Sequence, residues 1–176
     1  MKSTSTRYGT VAVTIHWASA LLILALLVSG MRAGDMAVEA SKTAVLSLHI
    51  PLGVSVLLLT LARLIWWRMA DRKPPSIPMP RWQSLASRGV HLLLYVVILA
   101  MASSGIATVA LSGAMPIIFG GSPGPLPDFH EFAPRAAHGI GARLMIALFL
   151  LHAGAALHHH FIKRDGMLAR MWFGKA

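Results

Sequence analysis

The sequence predicts an all-α membrane protein, a bundle of four transmembrane helices. Three observations carry that prediction. Of 176 residues, 56% are hydrophobic and only 12% are charged, with a mean hydropathy of +0.65. Soluble domains average about 25% charged residues, so the chain is too apolar for a water-soluble globule. Four long stretches, residues 8–31, 43–62, 89–127 and 144–162, contain no Asp, Glu, Lys or Arg. Finally, the net charge of +10 falls entirely at one end of the arrangement those stretches define.

A helix needs about 20 mostly apolar residues to cross the hydrocarbon core. The first stretch reads as a span over 10–31. Lys2 and Arg7 precede it as in a signal peptide, but signal cores run about 7–15 residues, and this run has 24. The second span is expected over 44–67. A Pro-rich connection, Lys73 to Pro80, favours an extended chain and leads to the third span, 88–111. Ser112-Gly113, Pro116, Gly120-Gly121 and the Pro123–Pro127 run then stop the helix. The fourth span is expected over 135–160. Residues 1–176 thus form a single membrane-embedded domain.

Both termini and the second connection carry twelve cations and two carboxylates, among them Arg63, Arg68, Arg72, Lys73, Arg81, Arg88, Lys163, Arg164 and Lys175. The opposite side carries four of each: Arg32, Lys42, Arg135 and Arg143 against Asp35, Glu39, Asp128 and Glu131. The positive-inside rule makes the basic side, with both termini, cytoplasmic. The basic excess is therefore a topology signal, and no nucleic acid partner is expected. The lipid bilayer is the partner that composition demands.

The chain has no cysteine, which excludes disulfides, thiolate metal sites and covalent c-type haem. No phosphate-binding loop, G-x-S-x-G elbow or H-E-x-x-H motif is present. The nine histidines carry the chemistry. Ionisable groups inside a membrane are costly and mark function by default. His16 and His152 lie about two turns from the basic end of the first and fourth spans; His49 and His138 lie about one turn from the opposite end. His138 and His152 are 14 residues apart, and fourteen steps of about 100° fall about 40° short of four full turns. Both rings project to one side of the helix, about 21 Å apart along its axis. One helix can then supply a ligand to each of two stacked metal centres, with His16 and His49 opposite. Without cysteine, two non-covalent b-type haems are the natural cofactors, in the pairs His16/His152 and His49/His138. A hydrogen-bonded set without metal is the blander reading of these four.

Gly53 follows His49 by one turn and would let a flat macrocycle approach; Gly139, Gly141 and Gly154 offer the same, or plain helix packing. Arg63 shares the face of His49 at the basic depth, where it pairs with a haem propionate or snorkels to the headgroups. His91, Tyr95, His159, Arg81 and Trp82 gather near the basic end as a quinone-headgroup site, or as an interfacial belt. His130 reads as a surface residue, and the ten Met as packing.

Arg7-Tyr8, Ile15-His16-Trp17, His49-x-x-x-Gly53, Arg63, His91-x-x-x-Tyr95, His138-x13-His152 and His159-His160 together resemble the bacterial cytochrome b561 family. These are di-haem, four-helix proteins related to the cytochrome b subunits of hydrogenases and formate dehydrogenases. His158 departs from the family's usual two-His run. The resemblance implies the four histidines as axial ligands, an inner-membrane location and transmembrane electron transfer. Small stand-alone members resemble superoxide oxidases, which pass electrons from periplasmic superoxide to ubiquinone. Arg135 and Arg143 would then attend the substrate entrance. A subunit linking a periplasmic redox partner protein to quinone, and a His-based proton or metal transporter, are the alternatives. The paired histidines predict two haem b per polypeptide, measured from the reduced pyridine adduct. A value near zero would bring the transporter forward.

Overall fold

The computed structural model describes residues 2–173, apart from the side chain of Glu39; Lys175, counted above at the basic end, lies outside the described residues. Helix α1 runs over Thr10–Asp35, α2 over Glu39–Ile65, α3 over Arg81–Ser112, α4 over Met115–Phe119 and α5 over Ala133–His158. The π-helical turns Trp66–Ala70 and His159–Lys163 extend α2 and α5. Among the described residues four helices are long and apolar enough to cross a membrane. At about 1.5 Å per residue, the 26 residues of α1 reach about 39 Å and the 32 of α3 about 48 Å. Both exceed the hydrocarbon core of about 30 Å, so the helix ends stand among the headgroups.

The helix ends explain where expectation and structure differ. Only Met36–Val38 separate α1 from α2, so the first two spans form a tighter hairpin than hydropathy implies. α3 begins at Arg81 rather than Arg88, directly after Pro80, whose φ of −53° sets the chain up for a helix. Its first two turns are helical but too polar for hydrocarbon, and hydropathy alone does not see them. At the other end, Gly113 adopts φ +66°, the left-handed cap that closes α3. The short α4 was not anticipated, because Pro116 and the glycines around it read as loop.

α1 packs on α2 and α3 on α5, with α2 joining the two hairpins through α3; α1 and α5 barely touch through their backbones. Few large side chains are buried among the described residues, Val13, Val56, Val97 and Met145 being examples. Leu21, Leu58, Leu92 and Leu150 are 60–66% exposed. In water such surface would cost about 25 cal/mol per Å²; against lipid tails it costs nothing. The buried hydroxyls of Ser19, Thr60 and Thr108 donate to the carbonyls of Ile15, Val56 and Ser104 at 2.7, 2.8 and 2.8 Å. Each turns its polarity back into its own helix.

Both chain ends and the Pro-rich connection interlock at one end of the bundle. The Tyr8 amide donates to the Arg170 carbonyl, and Arg170 donates to the carbonyls of Thr6 and Pro75, each at 2.8 Å. Trp17 Nε1 reaches the Met171 carbonyl at 2.7 Å, with its ring edge-on to Trp172. Asp71 accepts from the Ser3 amide and hydroxyl and from Trp66 Nε1. Partial burial pushes the Asp71 carboxyl up, but the Ser3, Arg72 and Trp66 donors outweigh it and hold its pKa below 3.8. A depressed carboxylate stabilises the fold above its unfolded pKa and loses that contribution as pH falls through its folded value. Protection of the N-terminal segment from pepsin should therefore be complete at pH 5 and decline below about pH 4. Asp71→Ala should remove it throughout, at a cost of about 1 kcal/mol.

Candidate functional site

Two pairs of imidazoles face one another across the bundle. Nearer the interlocked end, His16 of α1 and His152 of α5 have ring centres 6.1 Å apart. Nearer the opposite end, His49 of α2 and His138 of α5 stand 6.2 Å apart. The 14-residue interval on α5 thus places one ring at each level. Two imidazoles hydrogen-bonded to one another through their nitrogens would be closer, at about 5 Å between centres. Two bonded to one metal at about 2.0–2.1 Å would stand a little over 6 Å apart. The observed spacing leaves room for a metal between each pair. Among the described residues no group of three or more His, Cys, Asp or Glu could hold an ion. A metal at these pairs must bring its remaining ligands, as a porphyrin iron does.

The outer pair, His49 and His138, is built by two matching devices. His49 Nδ1 meets Ser29 Oγ at 2.8 Å, and Ser29 donates onward to the Leu26 carbonyl. His138 Nδ1 meets the Met101 carbonyl at 3.0 Å and Ser104 Oγ at 3.2 Å. A carbonyl only accepts, so Nδ1 of His138 carries the proton and Nε2 keeps its lone pair. Beside each serine sits a glycine. A Cβ on Gly30 or on Gly105 would come within 3.2 Å of Cε1 of His49 or His138. The dipeptides Ser29-Gly30 and Ser104-Gly105 therefore orient and admit one ring each, within the α1–α2 and α3–α5 hairpins. Sequence reasoning missed both; a Ser-Gly step inside two apolar helices was the available signal.

A cavity of about 1160 Å³ surrounds the outer pair. That is at or above the roughly 300–1,000 Å³ of ordinary ligand pockets. Gly30, Gly53 and Gly105 line it, as do Lys42, Arg135 and Arg143 against Asp35 and Asp128. His130 is exposed at its mouth. Gly53 has Leu26 at 4.0 Å from its open side, Gly139 faces Arg135, and Gly141 takes Met101 in the α3–α5 contact. The Gly154 side is open.

At the inner level Arg63 turns inward. Its Nη1 is 3.3 Å from His16 Nδ1 and its guanidinium lies 5.9 Å over the Tyr95 ring. Its Nε is buried without an acceptor. A buried guanidinium N–H left unpaired is costly, and a carboxylate is its natural partner. His91 joins this level, 5.1 Å from His152 between ring centres, with Nδ1 on the Ser87 carbonyl. His159 stands elsewhere. It is buried, bonds Asp165 through Nδ1 and meets Gln83 Nε2 at 2.8 Å. Burial raises the Asp165 pKa, but the His159 bond outweighs it and holds the carboxyl below its usual range. Gln83 and His91 are eight residues apart on α3, about 12 Å along its axis. The residues grouped above as one quinone site thus fall into two clusters, with Arg81 and Trp82 exposed beside Gln83.

Facing imidazoles, glycine cradles, a guanidinium whose buried Nε lacks an acceptor and a cavity of this size fit an iron porphyrin. The fold and site define a membrane cytochrome b. The family model for prokaryotic cytochrome b561 matches residues 7–174, and the chain belongs to that family of haem-b membrane electron carriers. It is 34% identical to cytochrome b561 homolog 1 of Escherichia coli (strain K12), over 94% of this chain and 96% of that protein. It is 29% identical to cytochrome b561 homolog 2 of the same strain, over 96% and 93%. It is 27% identical to a probable superoxide oxidase of Yersinia pestis, over 94% and 95%.

The cradles yield a direct test. Gly30→Val or Gly105→Val should displace one imidazole and lower haem per polypeptide, measured by absorbance. Gly89→Val, at an open position, should leave it unchanged.

Proposed function

We propose that the chain binds two b haems and conducts electrons from superoxide, on the outer side, to ubiquinone near the interlocked end. The observation that carries this is the pair of facing imidazoles at each of two levels, with α5 common to both. His49 and His138 would hold the outer haem, His16 and His152 the inner one. Held by two histidines each, the haems would supply single-electron transfer rather than oxygen activation.

The chain's own residues have definable tasks. Ser29, Ser104 and the Met101 carbonyl engage Nδ1 of His49 and His138, which would leave Nε2 of each ring free to hold an iron. Ligation by Nε2 of His16 likewise needs a proton on Nδ1. Arg63, which can only donate, would then leave His16 and pair with a haem propionate, satisfying its buried Nε. Among the described residues, Lys42, Arg135 and Arg143 line the outer cavity beside Asp35 and Asp128, and an anionic substrate would meet these cations there. Gly53 widens the same cavity.

The electron balance is simple. Two superoxide anions become two dioxygen molecules and release two electrons; a quinone takes both, with two protons, to give the quinol. His91 and Tyr95 at the inner level, or the His159 cluster beside Arg81 and Trp82, supply donors for the quinone carbonyls. The excess of cations at the basic end supports a cytoplasmic position for it. The similarity to a probable superoxide oxidase of Yersinia pestis supports superoxide as donor.

Substitution and pulse experiments test this reading. His16→Ala or His152→Ala should remove the inner haem alone, His49→Ala or His138→Ala the outer alone, and His91→Ala neither. Each single loss should about halve the haem absorbance per polypeptide, with two spectrally distinct remainders. Anaerobic pulses of superoxide should reduce the haems of the intact protein. Full haem content without reduction would sink the superoxide assignment and leave the haem assignment standing.

A further inference from the structure

A second cavity, of about 690 Å³, opens at the interlocked end, far from the outer pair. The N-terminal segment, the π-helical turn after α2 and the start of the Pro-rich connection build it together. Lys2, Arg68, Arg72 and Lys73 line it. Asp71 lines it too, but that carboxylate is taken up by Ser3, Trp66 and the Arg72 amide. Among the described residues the one ion pair recorded is His159–Asp165, so none of the four cations meets a carboxylate. Trp67 adds a second observation. It lines the cavity, with Lys73 Nζ 5.7 Å over its ring, and its indole N–H is buried without an acceptor.

Positive charge at a membrane end has an ordinary reading, which is orientation. Orientation requires neither concavity nor an unpaired buried donor. Four cations around a hollow at headgroup depth, with serine and threonine hydroxyls beside them, match a phosphate diester carrying net negative charge. The apolar outer faces of α1 and α2 lead directly from this depth into the lipid, where acyl chains would lie. We infer that this cavity is a site for the headgroup of an anionic phospholipid, held by Arg68, Arg72 and Lys73, with the Trp67 indole as a further donor to its phosphate. The lipid would then tie the chain's first residues to the end of α2.

Native mass spectrometry of the haem-loaded protein, released from micelles doped with equal phosphatidylglycerol and phosphatidylcholine, tests the site. The wild type should retain phosphatidylglycerol preferentially. Arg68→Gln with Arg72→Gln and Lys73→Gln should cut that preference about a hundredfold, from about fivefold per cation removed. Unchanged haem content and helicity would certify the fold of that variant. Should it fail to fold, Arg72→Gln and Lys73→Gln singly, both in the extended connection, should each cost about fivefold. Trp67→Phe should weaken retention without changing net charge. Equal retention of the lipid by the charge variants overturns the site. Displacement of the lipid by millimolar inorganic phosphate overturns the lipid assignment in favour of a soluble phosphate.

Discussion

Everything else in the molecule is arranged around the distance between two facing imidazoles. A ring centre 6.1 or 6.2 Å from its partner is too far for a direct hydrogen bond between the two rings. Under the proposed ligation, that gap is where each pair would hold its iron. The two hairpins must therefore stand apart along α1 and α5 while staying joined through α2 and α3. Tight packing of all four helices would close that gap. The sparse burial of large side chains follows from the same requirement, since lipid lies on one side of each helix and the imidazole levels on the other.

The two levels share a plan and differ in what surrounds it. At the outer level neutral groups aim the rings, the Ser29 hydroxyl for His49 and the Met101 carbonyl with the Ser104 hydroxyl for His138. At the inner level a guanidinium stands against His16, with Tyr95 and His91 close by. A fixed cation near an electron carrier favours its reduced form, and Arg63 supplies one half-buried and facing inward. Arg135 lies beside the outer level, but at the mouth of a cavity where water screens it more strongly.

Much of this was legible in the residues. Uncharged runs gave the spans, and the interval between His138 and His152 gave the common face of α5. Depth matching brought His16 toward His152 and His49 toward His138. What stayed hidden was tertiary. Gly53 stands one turn from its histidine on the same helix, which sequence can see; Gly30 and Gly105 serve histidines on other helices, which it cannot. The start of α3 escaped because Arg81, Trp82 and Gln83 are helical without being apolar. His159 was grouped with His91 on sequence proximity to the basic end. The π-helical turn beginning at His159 rotates it instead toward Gln83 and Asp165.

The position of α5 has a consequence for biosynthesis. Chains emerge from the ribosome N-terminus first, so α1, α2 and α3 enter the bilayer holding half of each imidazole pair. Neither pair exists until the last of the four spans arrives, and then both form together. If the pairs hold the haems as proposed, a chain interrupted before Ala133 would have no partial electron path to expose. Cofactor capture would thus report that synthesis has reached its end, and a stalled intermediate would stay redox-silent.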